Sequence, residues 1–529
     1  MPSLNFHQRL LELNNPALAA IYRECTPRVL VVTDTLNFSS GDGFGLTQFV
    51  KTLQQATIHG MTPQVKTASR YASPGAELSN FDFNDPTHGL SISRYDVLFL
   101  FGAASEGIGD LPAPQVDTIA RFMQDGGGVF ATGDHETLGA ALCGNLPRVR
   151  QMRKWKAADA PPHVSSIDRH STNLSGSDET EEFNDQSDTL PQRLYLNFRT
   201  RAGGSAGIDR APHPLMQLRG RRKVLEVFPD HPHEGECRLP ASLSGSFTLQ
   251  GRPQPEWPKD AAGADVTPEI AAYSVSHGDG FPTGPTGPKQ GLVPKLFPAI
   301  AAYDGQRAGV GRVVTDATWH HFININLDGT GSGLPGLRRP TPAGYVDAEA
   351  LIRIRQHYVN LATWLMPAKV RRCLRFPLVV KELQRYPLFE ELDLPRPPEP
   401  MLPALRRLGE GLMQSLGTQV PAWEALALAD DALQDALGVE RLAKLQQSEP
   451  GRLSGPALSE LAQTALGGLA MAVVTEIAES KGLESIRAHK SFEDAAARGA
   501  RQAVQSLMAE QCEGLRKLNQ LLDSLRDEA

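Results

Sequence analysis

The feature that most constrains this chain is a repeated unit: an apolar run that stops abruptly on small or polar residues, then an amphipathic segment. The runs are RVLVVTDT (28–35), YDVLFLFG (95–102) and GVFATG (128–133). Continuous β-branched and aromatic runs of this length suit strands buried on both faces. Between them, LTQFVKTLQQATIHG (46–60) and PQVDTIARFMQDGGG (114–128) have helical spacing, the second with a glycine stop. GRVVTDATWHHFININL (311–327) returns to strand composition, and a helix is expected from Asp347 to Leu365, before Pro367. Strands alternating with helices predict an α/β domain whose mostly parallel sheet carries helices on both faces.

A chain of 529 residues is long for one domain. We expect an α/β domain over 1–370, a proline-rich linker over 371–402 (its core LDLPRPPEPMLP), and an Ala- and Leu-rich helical domain over 403–529. Within the first domain, 156–192 reads as a polar, acidic insertion and 250–295 as Gly- and Pro-rich loop. The final helix spaces Val504, Met508, Gln511, Leu515, Leu518, Leu522 and Leu525 by alternating fours and threes. That seam either packs on its own domain or joins copies into a homo-oligomer.

The net charge of −7 is modest, and the 53 basic residues are spread along the chain. No dedicated nucleic-acid surface is expected, and Arg219-Gly220-Arg221-Arg222-Lys223 reads as a solvated loop. The apolar segment 461–474 is shorter than the roughly 20 residues a membrane span needs, so it reads as a buried helix and no membrane partner is expected. The N-terminus has no basic start followed by an apolar core, so it does not read as a signal peptide. The five cysteines are scattered, without a CxxC pair. They suggest no disulfide framework and a reducing, cytoplasmic location.

The order of elements carries a resemblance. A strand ending at Asp34, the strand YDVLFLFG, a helix, GGGVFATGDHE, a late GRVVTDATWHH strand and a helix ending NLATWLMP resemble the class I glutamine amidotransferase-like superfamily, in its trehalose-utilisation (ThuA-like) branch. The resemblance implies a flavodoxin-like sheet, a ligand site at the carboxyl ends of its strands, and a sugar or sugar derivative as substrate. A glutamine-hydrolysing member would need a Gly-x-Cys-x-Gly elbow. Here the nucleophile position falls near Gly133, so a cysteine glutaminase is not expected, and Cys143 reads as core.

In a parallel sheet the ligand crevice lies at the strands' carboxyl ends. The expected strand ends carry Asp34, then Asp134, His135 and Glu136, then Asp230, His231, His233 and Glu234, then Asp316, His320 and His321. Two chemistries fit a small polar substrate. Asp34, His135, Glu136 and His320 suit acid–base catalysis, since a histidine beside a carboxylate is poised near neutral pH. His135, His231, His233, Glu234 and His321 suit a divalent metal, zinc, manganese or iron. Asp134 also reads as a cap for the helix expected after Gly133. Ser105 lacks a Gly-x-Ser-x-Gly frame, and Gly41, Gly43 and Gly45 do not form a dinucleotide fingerprint. A non-catalytic binding protein, assembled through its helical domain, is the alternative function.

Overall fold

The computed structural model describes residues 25–135, 137–159, 191–200, 210–220, 223–229, 235–276, 295–333, 335–385, 401–438, 441–442, 455–479 and 485–527. Glu136, His231, His233 and Glu234, most of the acidic insertion and residues 386–400 of the expected linker lie outside these residues.

A nine-stranded sheet organises the α/β region. Its strands in chain order are β1 (Arg28–Thr33), β2 (Gln64–Ser69), β3 (Val97–Phe101), β4 (Gly128–Thr132), β5 (Pro191–Leu196), β6 (Val227–Pro229), β7 (Glu269–Ser276), β8 (Lys295–Tyr303) and β9 (Val313–Asp316). They lie side by side in the order β2-β1-β3-β4-β9-β8-β7-β5-β6. The first five are parallel neighbours, in the flavodoxin-like arrangement expected from the alternating pattern. From β9 onward every pairing is antiparallel. This extension includes β7, inside the 250–295 stretch expected to be mostly loop. EIAAYSVS has strand composition, but its Gly- and Pro-rich flanks masked it. Likewise β2 (QVKTAS), with alternating exposure at its start, gave too short a signal.

The parallel strands sort their side chains by period two. Val29, Val31, Val97, Phe99, Phe101 and Phe130 belong to one core. Leu30, Val32, Leu98, Leu100, Val129 and Ala131 belong to the other. Helix α1 (Thr47–Gln55) and helix α3 (Glu349–Leu365) pack together on the first face. Helix α2 (Ala113–Gln124) contributes Ile119, Phe122 and Met123 to the second. Phe49 of α1 meets Phe99, Phe101, Phe322 and Tyr358 edge-on, with ring centroids 5.1–5.4 Å apart.

The C-terminal region is helical: α4 (Ala368–Arg385), α5 (Leu402–Gln419), α6 (Ala422–Leu437), α7 (Gly455–Glu479) and α8 (Ser485–Asp527). Its buried leucines and alanines join the first core rather than forming a separate one. Polar ties reinforce the junction. Trp423 Nε1 donates to Asn360 Oδ1 at 2.8 Å, and His59 Nε2 meets Glu424 Oε2 at 2.7 Å. Residues 371–385, expected as linker, are the body of α4. Leu374, Phe376, Val379, Val380 and Leu383 are buried there, and this burial offsets the helix-interior Pro377. No helix among the described residues is long and apolar enough to cross a membrane.

The cysteine reading is corrected. Cys25, just before β1, and Cys373, on α4, form a disulfide across 348 residues of sequence. Sequence spacing could not pair them, because the fold alone brings the two together. The argument for a reducing compartment loses its basis.

Buried histidines make this core acid-sensitive. His357 of α3 bonds through Nδ1 to Leu215 O at 3.0 Å, and burial pushes its pKa down from 6.5 to about 4. A depressed histidine contributes stability that is complete above its unfolded pKa and is lost as pH falls toward the folded value. Urea unfolding of the wild type should show a loss of roughly 2 kcal/mol between pH 7.5 and pH 5 from this residue. His357→Gln should lack that increment.

Candidate functional site

The site begins with backbone packing. After β4 the chain turns tightly through residues 133–139. Asp134 N donates to Leu138 O at 3.1 Å, and Leu138 N to His135 O at 3.1 Å. A Cβ on Gly133 would lie 2.2 Å from Leu138 O, and Gly139 has φ +95° with no room for a side chain beside Gly133. Only glycine fits either position. Gly139 N also donates to Ala104 O at 3.0 Å, seating the turn on the end of β3. The next helical turn, Ala140–Cys143, is preceded by Gly139 rather than by Asp134. The expectation that Asp134 caps a helix is therefore corrected, because the intervening turn moves the helix start downstream.

With no cap to make, Asp134 turns inward. Its carboxylate is wholly buried and meets three side chains. Oδ2 lies 2.7 Å from His135 Nδ1 and 3.6 Å from His320 Nε2, while Oδ1 accepts from Thr318 Oγ1 at 2.6 Å. Burial pushes this carboxyl up. The His320 charge and the His135 and His320 hydrogen bonds outweigh it, holding the group well below the usual carboxylate range. One ionised carboxylate thus serves two imidazoles. His320 is fixed at its other nitrogen, with Nδ1 2.8 Å from Asn326 Oδ1, and stacks on Trp319 at 4.2 Å. His135 is the more accessible ring, its side chain 28% exposed against 8% for His320.

A second carboxylate–imidazole pair lies alongside. Asp316, at the end of β9, accepts from Thr318 N at 3.1 Å and lies 2.8 Å from His321 Nδ1. His321 stacks on Phe228 of β6 at 4.0 Å, and its carbonyl accepts from Tyr358 of α3 at 2.5 Å. Thr318 is the bridge: its hydroxyl serves Asp134, its N–H serves Asp316, and Oγ1 also accepts from His320 N at 3.0 Å. From behind, buried Arg153 donates through one Nη to Asp134 O at 2.5 Å and to Ala317 O at 2.8 Å. Phe44, from the glycine-rich loop after β1, meets Trp319 and His320 edge-on at 5.8 and 6.3 Å. Asn324 holds that loop by donating to Asp42 O at 2.9 Å.

The sequence candidates therefore separate. His135 and His320 come together on one acid. His321 belongs to a neighbouring pair. Asp34 sits at the β1/β3 crevice, but its carboxylate accepts from the N–H groups of Thr35, Ala103 and Ala104 at 2.7, 2.8 and 3.1 Å. It ties the ends of two strands, and no contact joins it to the imidazoles among the described residues. Burial raises its pKa against those three donors. Glu136, His231, His233 and Glu234 lie outside the described residues. Cys143 is buried core, as expected.

Thr318 and Asn326 were absent from the expected site, and Asp134 was placed at a strand end but given no catalytic or metal-binding role. The signal for Asp134 was its position as the first polar residue after the β4 glycine. Thr318 sits within DATWHH, where its spacing from two histidines hinted at a bridge. Asn326 left no signal, since only the turn after residue 323 brings it beneath His320.

Among the described residues no group of three or more His, Cys, Asp or Glu side chains is arranged to hold a metal ion. His135 and His321 face different acids. Compared with known families and curated proteins, the chain matches no family model and no curated relative.

Two outcomes check this geometry. Gly133→Ala should cost roughly 3 kcal/mol in urea unfolding, since its Cβ strikes backbone that cannot move aside. Asp134, a depressed carboxyl, contributes stability above the unfolded carboxylate range that is lost as pH falls toward its native pKa. The unfolding free energy of Asp134→Asn should lack that acid-limb increment.

Proposed function

We propose that this chain is an enzyme performing acid–base chemistry on a small polar molecule, with carbohydrate esters and lactones as the first class to test. One observation carries the reading: a buried, ionised Asp134 shared by His135 and His320 at the carboxyl end of a parallel strand. Full burial of a carboxylate between two imidazoles is costly for stability alone and suits a proton-transfer site. The carbohydrate class comes from the ThuA-like resemblance.

The chemistry follows from the bonds. When Nδ1–H is directed at Asp134, the basic nitrogen of the neutral His135 ring is Nε2. It takes a proton from water or a substrate hydroxyl, and Asp134 stabilises the imidazolium that forms. His320 is held between Asp134 and Asn326 beside the reacting group. The proton that His135 takes up is the one it returns to the leaving oxygen. Thr318 and Asn326 position these groups.

Hydrolysis of a panel of sugar lactones and aryl esters, followed in a pH-stat, tests the reading. His135→Ala and Asp134→Asn should each lower kcat/KM by about a hundredfold or more, with native Tm retained for His135→Ala. Unchanged turnover in both variants would sink the assignment. Repeating the assay after chelator treatment separates this chemistry from a metal-assisted one.

A second role, self-association, has its own observation. The expected seam divides in space. Val504 and Leu507 are buried in the bundle, whereas Met508, Leu515, Leu518 and Leu522 of α8 are 48–62% exposed. The heptad spacing fits a second copy of the same helix, and the flanking Cys512, Gly514 and Asn519 bring no like-charge repulsion. Leu515→Ser with Leu518→Ser should reduce the mass measured by sedimentation equilibrium to that of one chain. A wild type that sediments as a monomer at every concentration would remove this role.

A further inference from the structure

A cavity of about 400 Å³ lies where the α/β and helical regions meet, well away from the imidazole pair. That volume is in the range of small-molecule sites, which favour domain junctions. Pro212, Pro214, Trp423 and Leu426 give it apolar wall, with Trp364 buried behind. Arg312 and Arg371 bring charge to it.

The cations there are not equivalent. Arg199 is paired with Glu269 at 2.6 Å. Arg312 is paired with Asp304 at 2.6 Å, and its guanidinium lies over the Trp364 ring at 4.5 Å. Arg371 makes no ion pair among the described residues. One Nη donates to Gln306 Oε1, and its Nε is shut from solvent without an acceptor. Of the acids nearest in charge, Asp304 is paired with Arg312 and Glu424 with His59, while Asp431 acts on Arg371 from beyond ion-pair distance. Burial pushes the Arg371 guanidinium down to about 9.

Position on the helix adds to the cost. Arg371 stands in the first turn of α4, an 18-residue helix with no acidic residue in that turn. The helix dipole there disfavours a cation and favours an anion. Arg371 is half-buried, and a cation without an ion pair placed against a helix dipole is a conflict that a bound anion would relieve. Such local conflicts mark places where a ligand completes the chemistry.

We propose that this junction cavity binds a small organic monocarboxylate, its carboxylate on Arg371 and its apolar body against Trp423, Pro212, Pro214 and Leu426. A lone cation without an ion pair among the described residues matches one negative charge, and Asp430, also on the lining, weighs against a second, as on phosphate. The apolar wall matches a planar hydrocarbon body better than a hydrated polyol.

Isothermal titration of the full-length protein with sodium benzoate, and separately with inorganic phosphate, tests this. Benzoate should bind at millimolar concentration or below, and phosphate more weakly. Arg371→Met should weaken benzoate at least tenfold, the loss expected for one charge-assisted contact. The same variant, without ligand, should have an unchanged or higher Tm, because it removes an unpaired charge. Arg371→Gln gives the same comparison should the methionine variant fold poorly. Absence of benzoate binding, equal binding by both variants, a preference for phosphate, or a large fall in Tm on replacing Arg371 would each overturn the proposal.

Discussion

A carboxylate removed from water must be met on every side, and Asp134 is met by two imidazoles and a hydroxyl. The arrangement of the site rests on this. It requires Gly133 and Gly139 to let the turn fold flat on the end of β3, and Arg153 to hold the turn's carbonyl from behind. It requires β9 beside β4, so that Thr318 can reach across. Remove the carboxylate and the two histidines lose their shared partner.

The sheet explains why these residues meet. Parallel strands deliver their carboxyl ends to one edge, and β4 and β9 are neighbours although residues 132 and 313 are far apart in sequence. The flavodoxin-like half brings Asp34 to the same edge, yet backbone N–H groups claim its carboxylate first. Two acids at the ends of the strands on either side of β3 thus differ in use. One closes the gap between strands, and the other binds imidazoles. The antiparallel extension adds Phe228 beneath His321, so it contributes to the site's wall as well as to the sheet.

The helical region belongs to the same packing problem. Its core is continuous with one face of the sheet, and the Cys25–Cys373 bond ties the entry to β1 to the helix that starts the region. Polar side chains from both sides, such as Asn360 and Trp423, satisfy each other at the seam. The distal half of α8 departs from this rule, with leucines that the bundle does not cover.

The sequence by itself determined the strands β1, β3 and β4, the helices between them, the late β9 strand and the helical character of the C-terminal region. These are local patterns of hydrophobic period and turn chemistry, legible because each element's burial is written in its own residues. It also singled out His135 and His320 as candidates, and it carries glycine rather than cysteine at position 133. Tertiary structure alone decided that Asp134 is shared between imidazoles rather than capping a helix, and that the Asp34 carboxylate accepts from the backbone N–H groups of Thr35, Ala103 and Ala104. The same holds for the pairing of Cys25 with Cys373 and for β7, whose flanks read as loop. The reason is physical: a carboxylate's or thiol's partner is chosen by proximity in space, and sheet order, not sequence distance, sets that proximity.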